Sequence, residues 1–152
     1  MLAVGDPAPP FDLVADDGST VRLADLKGRR AVVFFYPRDD TPGCTRQACA
    51  LRDDHPSFER EGATVLGIAP GTAESHARFR EKYSLPFRLL VDPDHAVAEA
   101  WGVWGEKMRY GKTSMGIRRS SFTIDEEGRI LDAAYDVKPE TTSPRALAAL
   151  AG

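Results

Sequence analysis

The chain has few of the residues that announce chemistry: two cysteines and three histidines in 152 positions. Two cysteines do not make a disulfide framework, and a close pair outside an oxidising compartment points to catalysis or metal binding. His55, His76 and His95 fit no metal-ligand spacing with the cysteines, and His76 falls on a candidate core face, so no metal is expected. Positive charge is not in excess: 20 Lys and Arg against 23 Asp and Glu leave a net charge of −3. Neither nucleic acid nor an anionic membrane is therefore an expected partner. No apolar run approaches the ~20 residues that span a bilayer. Residues 1–7 lack a basic region followed by an apolar core, so no secretory leader and a cytoplasmic location are expected. There is no internal repeat, low-complexity segment or linker. The composition, 42% hydrophobic and 28% charged, is ordinary for a globular protein, and the length suits one domain spanning 1–152.

What is present centres on residues 34–49, Phe-Phe-Tyr-Pro-Arg-Asp-Asp-Thr-Pro-Gly-Cys-Thr-Arg-Gln-Ala-Cys. An apolar run stops at Pro37, a short polar loop follows, and a helix begins near Cys44, with Cys49 five residues on. The run 31–36 is apolar throughout and does not alternate, the mark of a strand covered on both faces. The helix after it would carry Cys44, Ala48, Leu51, His55 and Phe58 on one face, and Pro56 would break it or start a second one.

Other segments continue the alternation. Residues 11–14 and 21–23 flank Asp16-Asp17-Gly18-Ser19 as a hairpin, preceded by a Pro-rich arm expected on the surface. Residues 64–69 and 87–91 read as further covered strands, with a helix through His76, Phe79 and Tyr83 between them and another through Val97, Trp101 and Trp104 after them. Residues 105–119 read as a long polar, basic loop. Residues 121–124 and 129–135 form a second hairpin, and Ser143-Pro144 caps a last helix. The predicted architecture is α/β: a thioredoxin-like fold with a mixed central sheet flanked by helices and an added N-terminal β-hairpin.

A thiolate is the reactive form of cysteine, and the first turn of a helix favours negative charge. Thr41 stands three residues before Cys44, placed to bond the sulfur or a bound oxyanion, and Arg118-Arg119 is the obvious pair to supply a cation. In an intact α-helix, Cα atoms five apart stand roughly 8–9 Å from each other, beyond the ~7 Å reach of a disulfide. A Cys44–Cys49 bond therefore requires local unwinding. Spacing alone leaves a packing role open for both cysteines, an N-cap role for Thr41 and a surface role for Arg119. The cluster Lys107, Arg109, Lys112, Arg118 and Arg119 is read as a solvated loop that also raises local positive potential.

Residues 36–45 resemble the peroxiredoxin active-site motif Pro-x-x-x-Thr-x-x-Cys. The continuation Gln47-Ala48-Cys49-Ala50-Leu51-Arg52-Asp53 is similar to the bacterioferritin comigratory protein, or peroxiredoxin Q, branch. Val4-Gly5-Asp6, Ser75-His76, Lys82-Tyr83-x-Leu85-Pro86-Phe87, Gly102-Val103-Trp104-Gly105 and Gly116-Ile117-x-Arg119-x-Ser121-Phe122 extend the resemblance along the chain. The resemblance implies a thioredoxin-dependent thiol peroxidase acting on hydrogen peroxide and organic hydroperoxides. Cys44 would attack the peroxide, Thr41 and Arg119 would bind its oxygens, and Pro37 would shield the pocket. Cys49 would resolve the sulfenic acid, and thioredoxin or a similar dithiol would reduce the disulfide. It implies no cofactor and a monomer. Two departures from the branch are Pro56, within a helix that relatives continue, and Gln47, where many relatives have Glu. Two other readings on the same fold are a protein thiol–disulfide oxidoreductase, disfavoured by the lack of Cys-x-x-Cys, and a peroxide-sensing module.

Overall fold

A computed structural model describes residues 1–152, except for the side chain of Arg109. Its frame is a five-stranded mixed sheet in the order β5 (Arg88–Val91), β4 (Ala63–Ala69), β3 (Arg30–Phe35), β8 (Ser120–Ile124), β9 (Ile130–Ala134). The strand read as covered on both faces is the central one. It pairs in parallel with β4 and antiparallel with β8, and residues 31–35 are at most 1% exposed. Alternation then divides the core. Val32, Phe34 and Tyr36 face the layer of α1 (Pro42–Asp53), α2 (His55–Arg60), α3 (Ala73–Lys82) and α5 (Thr142–Ala151). Ala31, Val33 and Phe35 face the opposite cluster with Phe11, Trp101 and α4 (Ala96–Ala100). The N-terminal hairpin, β1 (Asp12–Val14) and β2 (Thr20–Arg22), is present and closes that second face.

Pro56 divides the helical segment as its missing N–H requires: α1 ends at Asp53 and α2 starts at His55. Elsewhere the structure departs from the sequence reading. Residues 105–119 are no loop. They contain an antiparallel arm of β6 (Trp104–Arg109) and β7 (Lys112–Ile117), joined through Tyr110 and Gly111 at φ +53° and +73°, the geometry of a two-residue hairpin turn. Most of the arm is solvent-exposed, with Met108, Tyr110 and Met115 among its outward residues. Neither face is buried, so no alternation of apolar and polar residues marked it. Trp104 opens β6 and stacks on His95 at a ring separation of 3.5 Å instead of continuing α4. The N-terminal arm is docked, with Ala8 and Phe11 buried and the Ala8 amide bonded to the Gly128 carbonyl at 2.8 Å. Ser143 is not a helix cap: α5 starts one residue earlier, and the Ser143 hydroxyl donates to Asp54 Oδ2 at 2.5 Å.

The helix-covered face leaves no room at Gly67, which pairs with Phe34. A Cβ there would meet the Phe34 ring at 2.7 Å and Leu89 at 2.8 Å. Gly67→Ala should therefore lower the free energy of unfolding by about 1–3 kcal/mol. Urea titration checks this, and an unchanged midpoint would mean that the sheet relaxes freely at this point.

Candidate active site

The loop between β3 and α1 is built from short-range bonds. The Tyr36 hydroxyl donates to Asp39 Oδ1 at 2.7 Å, Asp40 sits at φ +57°, and the Thr41 hydroxyl donates to the Arg38 carbonyl at 2.9 Å. Thr41 is the N-cap of α1 by backbone geometry, but its side chain makes no cap bond, and Pro42 has no N–H to offer. The first-turn amides of Gly43 and Cys44 are thus left uncapped by Thr41, and they present the positive end of the helix beside the thiol.

Cys44 is the third residue of α1 and only 1% exposed. Arg119, from the junction of β7 and β8, brings Nη1 and Nη2 each to 3.5 Å from its Sγ. Of the basic pair singled out in the sequence, it is the one that reaches the thiol. Arg118 forks onto the Asp136 carboxylate, and the side chain of Arg109 lies outside the described residues. Arg119 Nη1 also donates to Gln47 Oε1 at 2.7 Å, and Gln47 Nε2 donates to Thr142 Oγ1 at 3.1 Å. Gln47 is fully buried. As a neutral acceptor it fixes the guanidinium without cancelling its charge, so negative charge on the sulfur, or on an oxygen beside it, meets an uncompensated cation.

A pocket of about 620 Å³ opens over this group. Pro37, Thr41, Pro42 and Gly43 supply one wall, and Arg38, Arg46, Lys107 and Arg119 bring four cationic side chains. It has room for a substituent beyond a two-oxygen group. Cys44 lies beneath this wall and reaches the pocket's edge through Arg119, which both lines it and faces the sulfur; a separate groove of about 460 Å³, bordered by Asp17, His55 and Arg88, has no such link to either cysteine. The structure thus gathers Cys44, Arg119, Thr41 and Pro37, with Gln47 and Gly43 as partners that sequence reasoning gave no positive role. Gly43 has no side chain because a Cβ would stand 2.9 Å from Arg119 Nη2.

Both thiols are free, and both lie on the unbroken α1. Cys49 is half-buried, and burial pushes its thiol up despite the opposing pull of Arg52. In the folded helix it is therefore held as the thiol. His76 is fully buried, with Asp39 Oδ2 2.6 Å from Nδ1 and the carbonyls of Ala69 and Leu90 at 3.2 and 3.1 Å from Nε2. Ser75 Oγ donates to the same Asp39 oxygen at 2.7 Å. The sequence marked Ser75-His76 without assigning either a partner, because Asp39 lies 36 and 37 residues away. Among the described residues no group of three or more His, Cys, Asp and Glu is placed to hold a metal.

The AhpC/TSA family model matches residues 4–133. Peroxiredoxin Bcp of Bacillus subtilis is 46% identical over 149 residues, covering 98% of this chain and 95% of that protein. Peroxiredoxin Bcp of Escherichia coli K12 is 50% identical over 137 residues, covering 90% and 88%. A solved structure of the Xanthomonas campestris bacterioferritin comigratory protein superposes with a TM-score of 0.87 at 35% identity, covering 93% of this chain and 90% of that one.

The close approach at Gly43 yields a test that leaves both cysteines in place. In Gly43→Ala the far end of the Arg119 side chain yields more easily than backbone would. Folding should hold while alkylation of Cys44 by iodoacetamide slows about tenfold, the worth of one charge-assisted hydrogen bond of ~1.5 kcal/mol. Peptide mass spectrometry over time reads this, and an unaltered rate would mean that Arg119 does not activate the sulfur.

Proposed function

This chain belongs to the AhpC/TSA family, in its Bcp and peroxiredoxin Q branch, and we propose that Cys44 and Cys49 are the two reacting thiols of its peroxidase cycle. Its fold is the thioredoxin-like fold of that family, and it is a thiol peroxidase that consumes peroxide at the expense of a thiol reductant. The observation that carries the residue assignment is the Arg119 guanidinium facing Cys44 Sγ through both Nη atoms in the first turn of α1. A sulfur so placed attacks one oxygen of R–O–O–H. The S–O bond forms, the O–O bond breaks, and the departing alkoxide or hydroxide takes up a proton as Arg119 stabilises its developing charge. The sulfur loses the two electrons that the peroxide gains, leaving a sulfenic acid on Cys44.

Thr41 and Pro37 complete the pocket around the incoming oxygens. The Thr41 proton is engaged by the Arg38 carbonyl, so its oxygen offers lone pairs to the peroxide O–H. Cys49 then attacks the sulfenic sulfur, forming the S–S bond and releasing water. The helix must part first, because the Cα separation expected in an intact turn exceeds disulfide reach. Unwinding also lifts the burial that holds Cys49 as a thiol. The break at Asp54 confines the change to α1, since α2 keeps its own anchor in the fully buried Phe58. A thioredoxin-type dithiol restores both thiols by exchange and becomes a disulfide itself.

The Xanthomonas relative is described for its alkyl peroxide reduction, and the volume beside Arg119, the residue that faces Cys44, supports organic hydroperoxides as well as hydrogen peroxide here. We further take residues 1–152 to act as one peroxiredoxin unit, monomeric and in the cytoplasm. Among the described residues no helix is long and apolar enough to cross a membrane.

Two variants test the roles. Cys44→Ser should abolish peroxide consumption with thioredoxin and its reductase, at least a ~10³-fold loss as for removal of a nucleophile; substantial residual turnover would exclude Cys44 as the attacking thiol. Cys49→Ser should complete the first turnover, stall in recycling and accumulate Cys44 sulfinic acid. Normal turnover by that variant, or wild-type turnover without a Cys44–Cys49 peptide bridge by mass spectrometry, would exclude the resolving role.

A further inference from the structure

The cycle described above makes no use of His76. His76 is fully buried in α3, and each of its ring nitrogens faces only hydrogen-bond acceptors: Asp39 Oδ2 on one side, the Ala69 and Leu90 carbonyls on the other. A neutral imidazole carries a single N–H and would leave one side as two opposed lone pairs. With Asp39 as a carboxylate, only an imidazolium satisfies both sides at once. Asp39 is acceptor on every side as well, taking the Tyr36 hydroxyl on Oδ1 and both Ser75 and His76 on Oδ2.

The placement matters because Asp39 lies in the middle of the loop whose ends, Pro37 and Thr41, line the same pocket as Arg119, which faces Cys44. Tyr36, which it holds, belongs to the same buried cluster as Cys44. The neighbouring Asp40 also reaches α3 and its C-cap, through Lys82 at 2.7 Å and Tyr83 at 2.6 Å. Asp40 and Lys82 are exposed, and such a pair adds little holding force. The firm attachment is the buried one.

We propose that His76, as an imidazolium paired with Asp39, is a positioning residue for the peroxide reaction, fastening the 37–41 loop and with it the mouth of the Cys44 pocket. The inference rests on the peroxidase reading. The groups facing the pair are Tyr36 just past β3, Ser75 from α3, and the Ala69 and Leu90 carbonyls from β4 and β5; among the described residues no other carboxylate or cation bonds to either member. Burial opposes the charge on His76, but the Asp39 carboxylate outweighs it and holds the imidazole above the ordinary histidine value. Burial raises Asp39 too, and its bonds from His76, Tyr36 and Ser75 outweigh that and hold it below the carboxylate range. The His76 contribution is complete below the ordinary histidine range and is lost as pH rises through its elevated folded value. The Asp39 contribution is lost only as pH falls through its depressed one. The loop is thus fastened below the ordinary histidine range and released as pH rises past the elevated His76 value.

The test uses the full reduced chain. Nitrogen-15 NMR of the wild-type imidazole at neutral pH should show both His76 nitrogens protonated, and a neutral ring would overturn the proposal without any variant. Stopped-flow tryptophan fluorescence then gives the second-order rate with hydrogen peroxide between about pH 6 and about pH 9. His76→Asn and Asp39→Asn should each slow it by about 10- to 100-fold per folded molecule, the scale of a displaced reacting geometry. The double variant should be no slower than either single one. The wild type should lose rate at the alkaline end, and the variants should not. Multiplicative losses, or variants that melt earlier yet react at the normal rate, would reduce His76 to a structural residue. A wild type inert to peroxide would instead remove the peroxidase reading on which this rests.

Discussion

A guanidinium within 3.5 Å of a buried sulfur is the constraint on which the rest of this structure turns. An arginine side chain is long and loses much rotamer freedom when fixed, so its aim must be held from outside. Here three separate parts of the chain hold it. The β7–β8 junction supplies the backbone, and the Arg119 carbonyl accepts from the Val137 amide at 2.9 Å. Gln47, one turn beyond Cys44, takes one Nη1 proton, and Thr142 at the start of α5 steadies Gln47 in turn. Gly43 leaves the space that Nη2 occupies. The central sheet sets the distance, because β3 delivers the loop leading to Cys44 and β8 pairs with β3 immediately after Arg119.

Much of this was legible in the sequence, and what was not has a physical cause. The covered strands showed as uninterrupted apolar runs, Pro37 ended the first of them, and Pro56 divided the helical segment where a missing N–H demands it. Cys44, Thr41, Arg119 and Pro37 could be named because the motif around them is dense. Gln47 could not be weighed, since its worth lies in a bond to Arg119, 72 residues away. The pairing of Asp39 with His76 was hidden for the same reason: a buried ion pair has no periodicity and joins two segments that no local rule connects. The β6–β7 arm was missed because neither of its faces is buried. Its turn at Tyr110-Gly111 was a weak signal, lacking the usual Asn or Asp before the glycine.

One ion pair and one cation held by a neutral partner flank the active-site loop, and they differ in what they gain. The Asp39–His76 pair is buried, and burying an ion pair seldom adds net stability over an apolar contact of equal volume. Losing one partner is far more costly than having neither, so such a pair specifies a position more than it stabilises a fold. Opposite it, the positive charge of Arg119 meets Gln47, which carries none. A carboxylate at Gln47 would give Arg119 a closer counter-ion than the sulfur. The neutral amide keeps the geometry and leaves the charge available to a reacting atom.

On the proposed cycle the same helix has to be rigid enough to hold Cys44 against Arg119 and weak enough to come apart. Its buried residues are Cys44, Gln47, Ala48 and Leu51. Of these only Leu51 is a large aliphatic side chain, and exposing it costs about 1.5–3 kcal/mol. Backbone bonds given up to water add only about 1 kcal/mol each in net terms. Rigidity comes instead from polar ties at defined points: Gln47 to Thr142 at 3.1 Å and Asp54, just past the helix end, to Ser143. Such bonds are directional and exchange readily with water, so they hold the helix in one place without a deep well. A large apolar face on α1 would make that well deep, and Cys49 would then stay beyond reach of the sulfur it has to meet.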